Sequence, residues 1–356
     1  MPSIADHLPR AWAEVDLAAV VSNARTVSRI AGARLLPMVK ANAYGLGAVP
    51  VARALEAVEP WGYGVATPEE GAELRRAGIA RPIVVFSPLG PATVEPCLRA
   101  DLRPVIGDLE GLAAWQAAGR HPFHVEVDTG MARAGFRWDE APAWRSAVAA
   151  AGAACEGIFT HFHSADEAPA SMVRQWERFR DVLALLPDRP ALVHAANSAA
   201  ALRGPDYAAD LVRPGIFLYG GAAAGHEPAT AVRLEARVVA LRTVAAGDSV
   251  SYGASWVAPA ATRIATLGVG YADGLHRSLG GCGVVELGGR RVRVVGRVTM
   301  DFTMVAVEGP VALGAVATMF GGLVSVDEQA ALAGTIAYEL LTALGPRIPR
   351  RYEGAA

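Results

Sequence analysis

Between residues 35 and 220 the chain alternates short apolar, β-branched runs with longer stretches of helical periodicity. The runs are LLPMVK (35–40), WGYGVA (61–66), RPIVVFS (81–87), LRPVIG (102–107), FHVEVD (123–128), CEGIFTHF (155–162), ALVHA (191–195) and LVRPGIFLYG (211–220). Intervening segments such as SMVRQWERFRDVLALL place apolar residues at i, i+3, i+4 and i+7, with charges on the opposite side. Strands alternating with amphipathic helices predict right-handed βαβ units and a parallel sheet. Eight such units suit a (β/α)8 TIM-type barrel, whose active site lies at the C-terminal ends of the strands. A doubly wound sheet is the alternative with the same alternation. After about residue 225 the texture changes. RLEARVVALRTV, TRIATLGVG, RRVRVVGRV and FTMVAV read as strands between Gly-rich turns, with a late helix around TIAYELLTALG. The pattern therefore predicts an α/β barrel domain over 1–226 and a smaller β-rich domain over 227–356. AWAEVDL, at 11–17, reads as a further strand outside the eight. Periodicity does not place it, and the β-rich domain is one sheet it can join.

Composition narrows the class. Of 356 residues 52% are hydrophobic and 19% charged, which excludes a disordered chain. Thirty-three basic residues against thirty-five acidic ones leave no electrostatic footprint for nucleic acid or an anionic membrane. Cys97, Cys155 and Cys282 are odd in number and far apart, so no disulfide framework is expected. The opening MPSIADHLPR lacks a basic segment followed by an apolar run, so no signal peptide and a cytoplasmic location are expected. The uncharged stretch 309–326 contains Pro310, Gly314, Gly321 and Gly322, which predict turns between short strands rather than a membrane span. The apolar surplus points to buried subunit contacts.

Candidate chemistry sits where the runs end. Lys40 closes the first run, and a lysine on an apolar strand end is partly desolvated. Desolvation favours the neutral, nucleophilic amine, as a Schiff base with an aldehyde cofactor requires. The fifth run leads into Asp128-Thr-Gly-Met-Ala-Arg133, the sixth into Thr160-His-Phe-His-Ser-Ala-Asp166, and the seventh into His194-Ala-Ala-Asn197-Ser198. The eighth carries Arg213-Pro-Gly215-Ile216. An Asn-Ser helix start and a glycine permitting close backbone approach suggest an anion site after strands seven and eight, although ordinary helix capping explains Asn-Ser equally well.

Nine segments in order resemble motifs of the PLP-dependent alanine racemase family. They are VKANAYG, DTGMAR, THF with a following AD, HAANS, RPGIFLYG, VSYG, GYADG, GRVTMD and PRRY, and they extend from residue 39 to residue 352. The resemblance implies L-/D-alanine interconversion with pyridoxal 5′-phosphate (PLP), for peptidoglycan, by a homodimer. Racemisation needs a proton taken from one face of Cα and returned to the other, hence two opposed bases. Lys40 resembles the cofactor-anchoring lysine and first base. Tyr252 resembles the second base, which the family supplies to the active site of the partner subunit. A tyrosine ordinarily titrates near about 10 and needs a neighbouring cation, the part of Arg133. Arg213 resembles the arginine facing the pyridine nitrogen, which a guanidinium leaves unprotonated. His161 resembles a ring-stacking histidine, and His194 the support of that arginine. Tyr44, Asn197, Ser198, Gly215, Ile216 and Tyr352 resemble the phosphate cradle. Met300 resembles the residue whose N–H meets the substrate carboxylate, with Asp301 beside it, and Tyr271 an entrance residue that favours small side chains.

Two positions depart from the family pattern. Leu46 stands where the family usually has histidine, and a packing change is expected there. Glu126 stands where many members carry a lysine that becomes carboxylated, and it is expected to supply that anion itself and hold Arg133. Serine or a broader set of amino acids is the alternative substrate. A zinc hydrolase built on His161, His163 and Asp166 and a non-catalytic PLP carrier are the alternatives of other classes. Decarboxylase phosphate-loop and cysteine motifs are not found.

Overall fold

The computed structural model describes residues 9–354. The first eight residues, on which much of the signal-peptide reading rests, lie outside them. Each of the eight runs supplies one parallel strand: Arg34–Leu35, Tyr63–Val65, Ile83–Pro88, Arg103–Ile106, Phe123–Asp128, Cys155–Phe159, Leu192–His194 and Leu211–Val212. Neighbours in sequence are neighbours in the sheet, and the eighth strand pairs with the first through Leu211 and Arg34. The ring closes where Met38 bridges Gly64 and the Trp61 N–H donates to the Leu35 carbonyl at 2.8 Å. A doubly wound sheet would leave two free edges; this sheet is a barrel.

Alternation along the strands builds two apolar layers. Phe123, Val125 and Val127 face the surrounding helices, whereas Leu36, Val84, Val105, Phe159, Leu192 and Leu211 fill the lumen. The first helix, Leu17–Ala31, shows how local sequence sets an element. Asp16 accepts from the Ala19 N–H at 2.9 Å, Gly32 ends the helix at φ 64°, and Leu17, Val20, Ala24, Val27 and Ala31 form its buried face.

The strand Ala11–Asp16 leaves the barrel altogether. It runs antiparallel to Val232–Val244 and parallel to Arg350–Glu353, inside the sheet of the C-terminal domain. Val232–Val244 shifts register between Val238 and Ala240, so it pairs first with Ala11–Asp16 and Val316–Phe320, then with Thr262–Leu267. The uncharged stretch 309–326 holds the strand Val316–Phe320 between turns at Gly309, Gly314 and Gly321. No helix among the described residues is long and apolar enough to cross a membrane. The late helix is Ala337–Thr342, preceded by Val326–Ala333, which Ser325 caps.

Candidate active site

Immediately after the first strand the backbone winds the wrong way. Ala41, Asn42, Ala43 and Tyr44 all have φ between 50° and 56°, a left-handed turn containing no glycine. Each of the three residues other than Asn42 costs about 1–2 kcal/mol, so the turn needs outside support. Glu70, in the helix Pro68–Arg76 after the second strand, supplies part of it. Its carboxylate accepts from the Ala41 N–H and the Ala66 N–H, both at 2.7 Å. Asn42 Oδ1 accepts from the Ala48 N–H at 2.8 Å. Tyr44 packs on Tyr219 with ring centroids 4.7 Å apart. At Gly47 (φ 104°) a Cβ would stand 2.0 Å from the Tyr352 hydroxyl, which donates to the Leu46 carbonyl at 3.0 Å. Glu70→Ala removes the acceptor of two N–H groups. We expect it to cost about 1–2 kcal/mol of stability and to weaken cofactor binding, as measured by urea denaturation and cofactor titration.

The turn sets Lys40 at the mouth of the barrel. Here it lines a cavity of about 140 Å³ with Tyr44, Arg133, His161, Asn197, Ser198, Arg213, Gly215 and Ile216. Burial, then Arg133 and Arg213, push the Lys40 pKa down, against the pull of Glu70. The cavity is cationic at one end. His161 is pushed down to about 3 by burial and by Arg213, so it is neutral. Arg213 is pushed down to about 9 by burial, partly offset by Glu126, and stays a cation at neutral pH. Its NH1 donates to His194 Nδ1 at 2.7 Å, and its NH2 to the Thr160 and Ala195 carbonyls at 3.0 Å and to His161 Nδ1 at 3.2 Å.

At the other end lies a cradle of donors. Asn197 caps the helix Ser198–Leu202 by accepting from the Ala200 N–H at 3.0 Å, and Ser198 Oγ accepts from the Gly215 N–H at 2.9 Å. The N–H groups of Ser198 and Ile216 and the Tyr44 hydroxyl have no hydrogen-bond partner among the described residues. A Cβ at Gly215 would stand 2.2 Å from that hydroxyl. Hydroxyls and free N–H groups with no carboxylate among them suit a phosphate monoester, and Lys40 suits an aldehyde. The residues fit PLP.

Several expected residues sit elsewhere. Tyr352 does not line the cavity, its hydroxyl being used on Leu46. The Leu46 side chain is fully buried in the core. His194 stands behind Arg213. Tyr252 is 71% exposed, and Tyr271 and Met300 are also exposed, on the β-rich domain. Asp301 pairs with Arg347 at 2.6 Å and with Arg10 at 3.4 Å, and both arginines also hold the buried Asp273. The loops carrying Tyr271 and Met300 are thereby locked together. Glu126 is buried, and no ion pair or hydrogen bond of its carboxylate with Arg133 is formed among the described residues. His161 and His163 diverge, to Arg213 and to Ser164, and no group of three potential metal ligands occurs among the described residues. Sequence reasoning missed Met38, Phe86 and Tyr338 on the cavity wall, and Glu70 behind it. Glu70 was accessible in principle, since it follows the end of the second strand.

Fold and site together define a two-domain barrel enzyme built around a desolvated lysine and an anion cradle. Residues 15–223 match the family described as alanine racemase, N-terminal domain, and residues 231–352 match alanine racemase, C-terminal domain. The chain belongs to the alanine racemase family. It is 40% identical to the alanine racemase of Carboxydothermus hydrogenoformans over 96% of this chain and 99% of that protein. Against the alanine racemase of Symbiobacterium thermophilum it is 41% identical over 98% of each. Among solved structures, alanine racemase from D-cycloserine-producing Streptomyces lavendulae superimposes with a TM-score of 0.91 at 35% identity, covering 99% of both chains. Alanine racemase from Bartonella henselae with covalently bound pyridoxal phosphate gives 0.91 at 30% identity, covering 97% of this chain and 100% of that one.

Proposed function

We propose that the chain interconverts L- and D-alanine with PLP, held covalently by Lys40, and that a second copy of the chain completes each site with Tyr252. The observation that carries the proposal is a lysine driven toward its neutral form, facing an anion cradle across one cavity. Tyr44, Ser198, Gly215 and Ile216 would hold the phosphate, with Asn197 capping the helix beneath it and Arg213 meeting the ring nitrogen. PLP, when bound, supplies an electron sink that acidifies the Cα proton of alanine. Lys40 and Tyr252 then remove and return that proton on opposite faces. Neutral His161 would pack at the cofactor ring; with its Nδ1 facing Arg213 it does not compete as a base. Arg133, Met300 and Asp301 would orient the substrate, and Tyr271 would limit its size. The same reading makes the chain a cytoplasmic homodimer that supplies D-alanine for peptidoglycan.

The test is incubation of the PLP-loaded protein with L-alanine in deuterated water. Expected is racemisation with deuterium at Cα; a PLP-binding protein that exchanges nothing would refute the proposal.

Glu126 is read as the anion that electrostatically positions Arg133. Burial raises its pKa, while Arg133 and then Arg213 pull it down. A carboxyl whose folded pKa is raised contributes its full stability below the unfolded value and loses it as pH rises through the folded one. Its contribution to stability therefore falls as the pH rises. Glu126→Gln should lower kcat by about tenfold or more while leaving the thermal midpoint at pH 8 unchanged or raised. A variant with near-normal kcat sinks this role.

A further inference from the structure

We propose that Glu156, on the sixth strand near the N-terminal end of the barrel, is a positioning residue for Arg213, acting through His194 and His124 as a relay of fixed tautomers. Arg213 and His194 lie at the C-terminal end of the barrel, His124 lies deeper on the fifth strand, and both histidines are fully buried. Arg213 has only donors. Its NH1 at 2.7 Å therefore requires His194 Nδ1 to accept, so the proton of neutral His194 sits on Nε2. That nitrogen is 2.8 Å from His124 Nδ1, which must accept in turn. The remaining proton of His124 then lies on Nε2, which faces Glu156 Oε2 at 3.6 Å.

A second set of observations marks the far end of the relay. His124 Nε2, Glu156 Oε2 and Arg103 Nε are all buried without a hydrogen-bond partner, and Arg103 Nε lies 3.5 Å from the same Glu156 oxygen. Three complementary groups converge on one point at the N-terminal end of the barrel. Gly157, next to Glu156, makes room for the ring, since a Cβ there would stand 2.5 Å from His124 Nδ1. Protonating either histidine would set donor against donor, and burial opposes it as well.

The relay has one order that satisfies both ends. Glu156 favours a proton on His124 Nε2, and Arg213 forbids one on His194 Nδ1. Without the carboxylate, the buried His124 N–H loses the one anion that faces it, at 3.6 Å, so the Nδ1–H tautomer gains population. His194 must then turn an N–H toward Arg213, and the guanidinium loses the bond that orients it. Glu156 does not line the cavity, so it reaches the chemistry only through this chain of contacts. The effect on turnover rests on the racemase reading above, whereas the tautomer order is a property of the barrel itself.

The test uses the full-length PLP-loaded protein labelled with ¹⁵N-histidine, with ring signals assigned by their loss in His124→Gln and His194→Gln. Expected in the wild type are two neutral rings, both protonated on Nε2. In Glu156→Leu the His124 signal moves toward Nδ1–H, kcat falls about tenfold and the alanine KM stays within about twofold. Glu156→Gln, whose amide oxygen can still accept, retains the wild-type tautomers. An Nδ1–H tautomer or an imidazolium at either position in the wild type overturns the proposal, and that measurement needs no variant. So does a Glu156→Leu protein with wild-type tautomers. A protein with the expected tautomers but no racemisation would refute the racemase reading and leave the relay standing.

Discussion

Lys40→Ala should abolish racemisation, lowering kcat by about 10⁴-fold or more. The purified variant should lack the visible absorbance of covalently held PLP while remaining folded. The expectation follows from how much structure is spent on this one amine. Four residues of left-handed backbone, the Glu70 bridge and two nearby guanidiniums combine to deliver a partly desolvated amine to the cavity. Small primary amines added to the variant should restore a minor fraction of Cα–deuterium exchange. Such rescue separates a lost amine from a lost fold. Wild-type rates in Lys40→Ala would remove Lys40 from the chemistry.

Tyr252→Phe should be nearly as severe, and a mixture of the two inactive chains should recover. If each site takes Lys40 from one chain and Tyr252 from another, a hybrid dimer has one intact site and one doubly defective site. Random assortment makes half of the dimers hybrid, so an equimolar, co-refolded mixture regains about one quarter of the wild-type activity per chain. No recovery would mean that both residues act within one chain. The structure motivates the swap. Tyr252 opens a short turn after Ser251, at φ 70°, whose hydroxyl donates to the Arg297 carbonyl at 2.8 Å. Phe302 lines the same shallow hollow, and Met300 and Tyr271 are exposed on the same domain. An exposed aromatic and apolar face calls for a partner surface.

Much of this arrangement was legible in sequence because the signals are local. All eight barrel strands overlap the apolar runs, whose alternation with amphipathic helices needs only nearest-neighbour periodicity. The cavity residues Lys40, His161, Asn197, Ser198, Arg213, Gly215 and Ile216 were found because each follows a strand, and in a closed barrel strand ends share one face. Glu70 escaped because an acidic residue in the first turn of a helix has an ordinary explanation as helix capping. Its place after the second strand puts it at the same end of the barrel as Lys40, but does not pair it with a turn 29 residues earlier.

The sequence by itself determined the strand count, the amphipathic helices, the two-domain texture and the lysine around which the site forms. These depend on which side chains recur at a spacing of two or of 3.6 residues. Only the tertiary structure decided where Ala11–Asp16 belongs, since its partners begin at Val232 and Arg350 and such long-range pairing leaves no local periodicity. Tertiary contacts also hold Ala41–Tyr44 left-handed against the preference of Ala41, Ala43 and Tyr44. Finally, they align Arg213, His194, His124 and Glu156 through the lumen. Hydrogen-bond order is a property of groups brought face to face by the closed sheet, and no spacing along the chain encodes it.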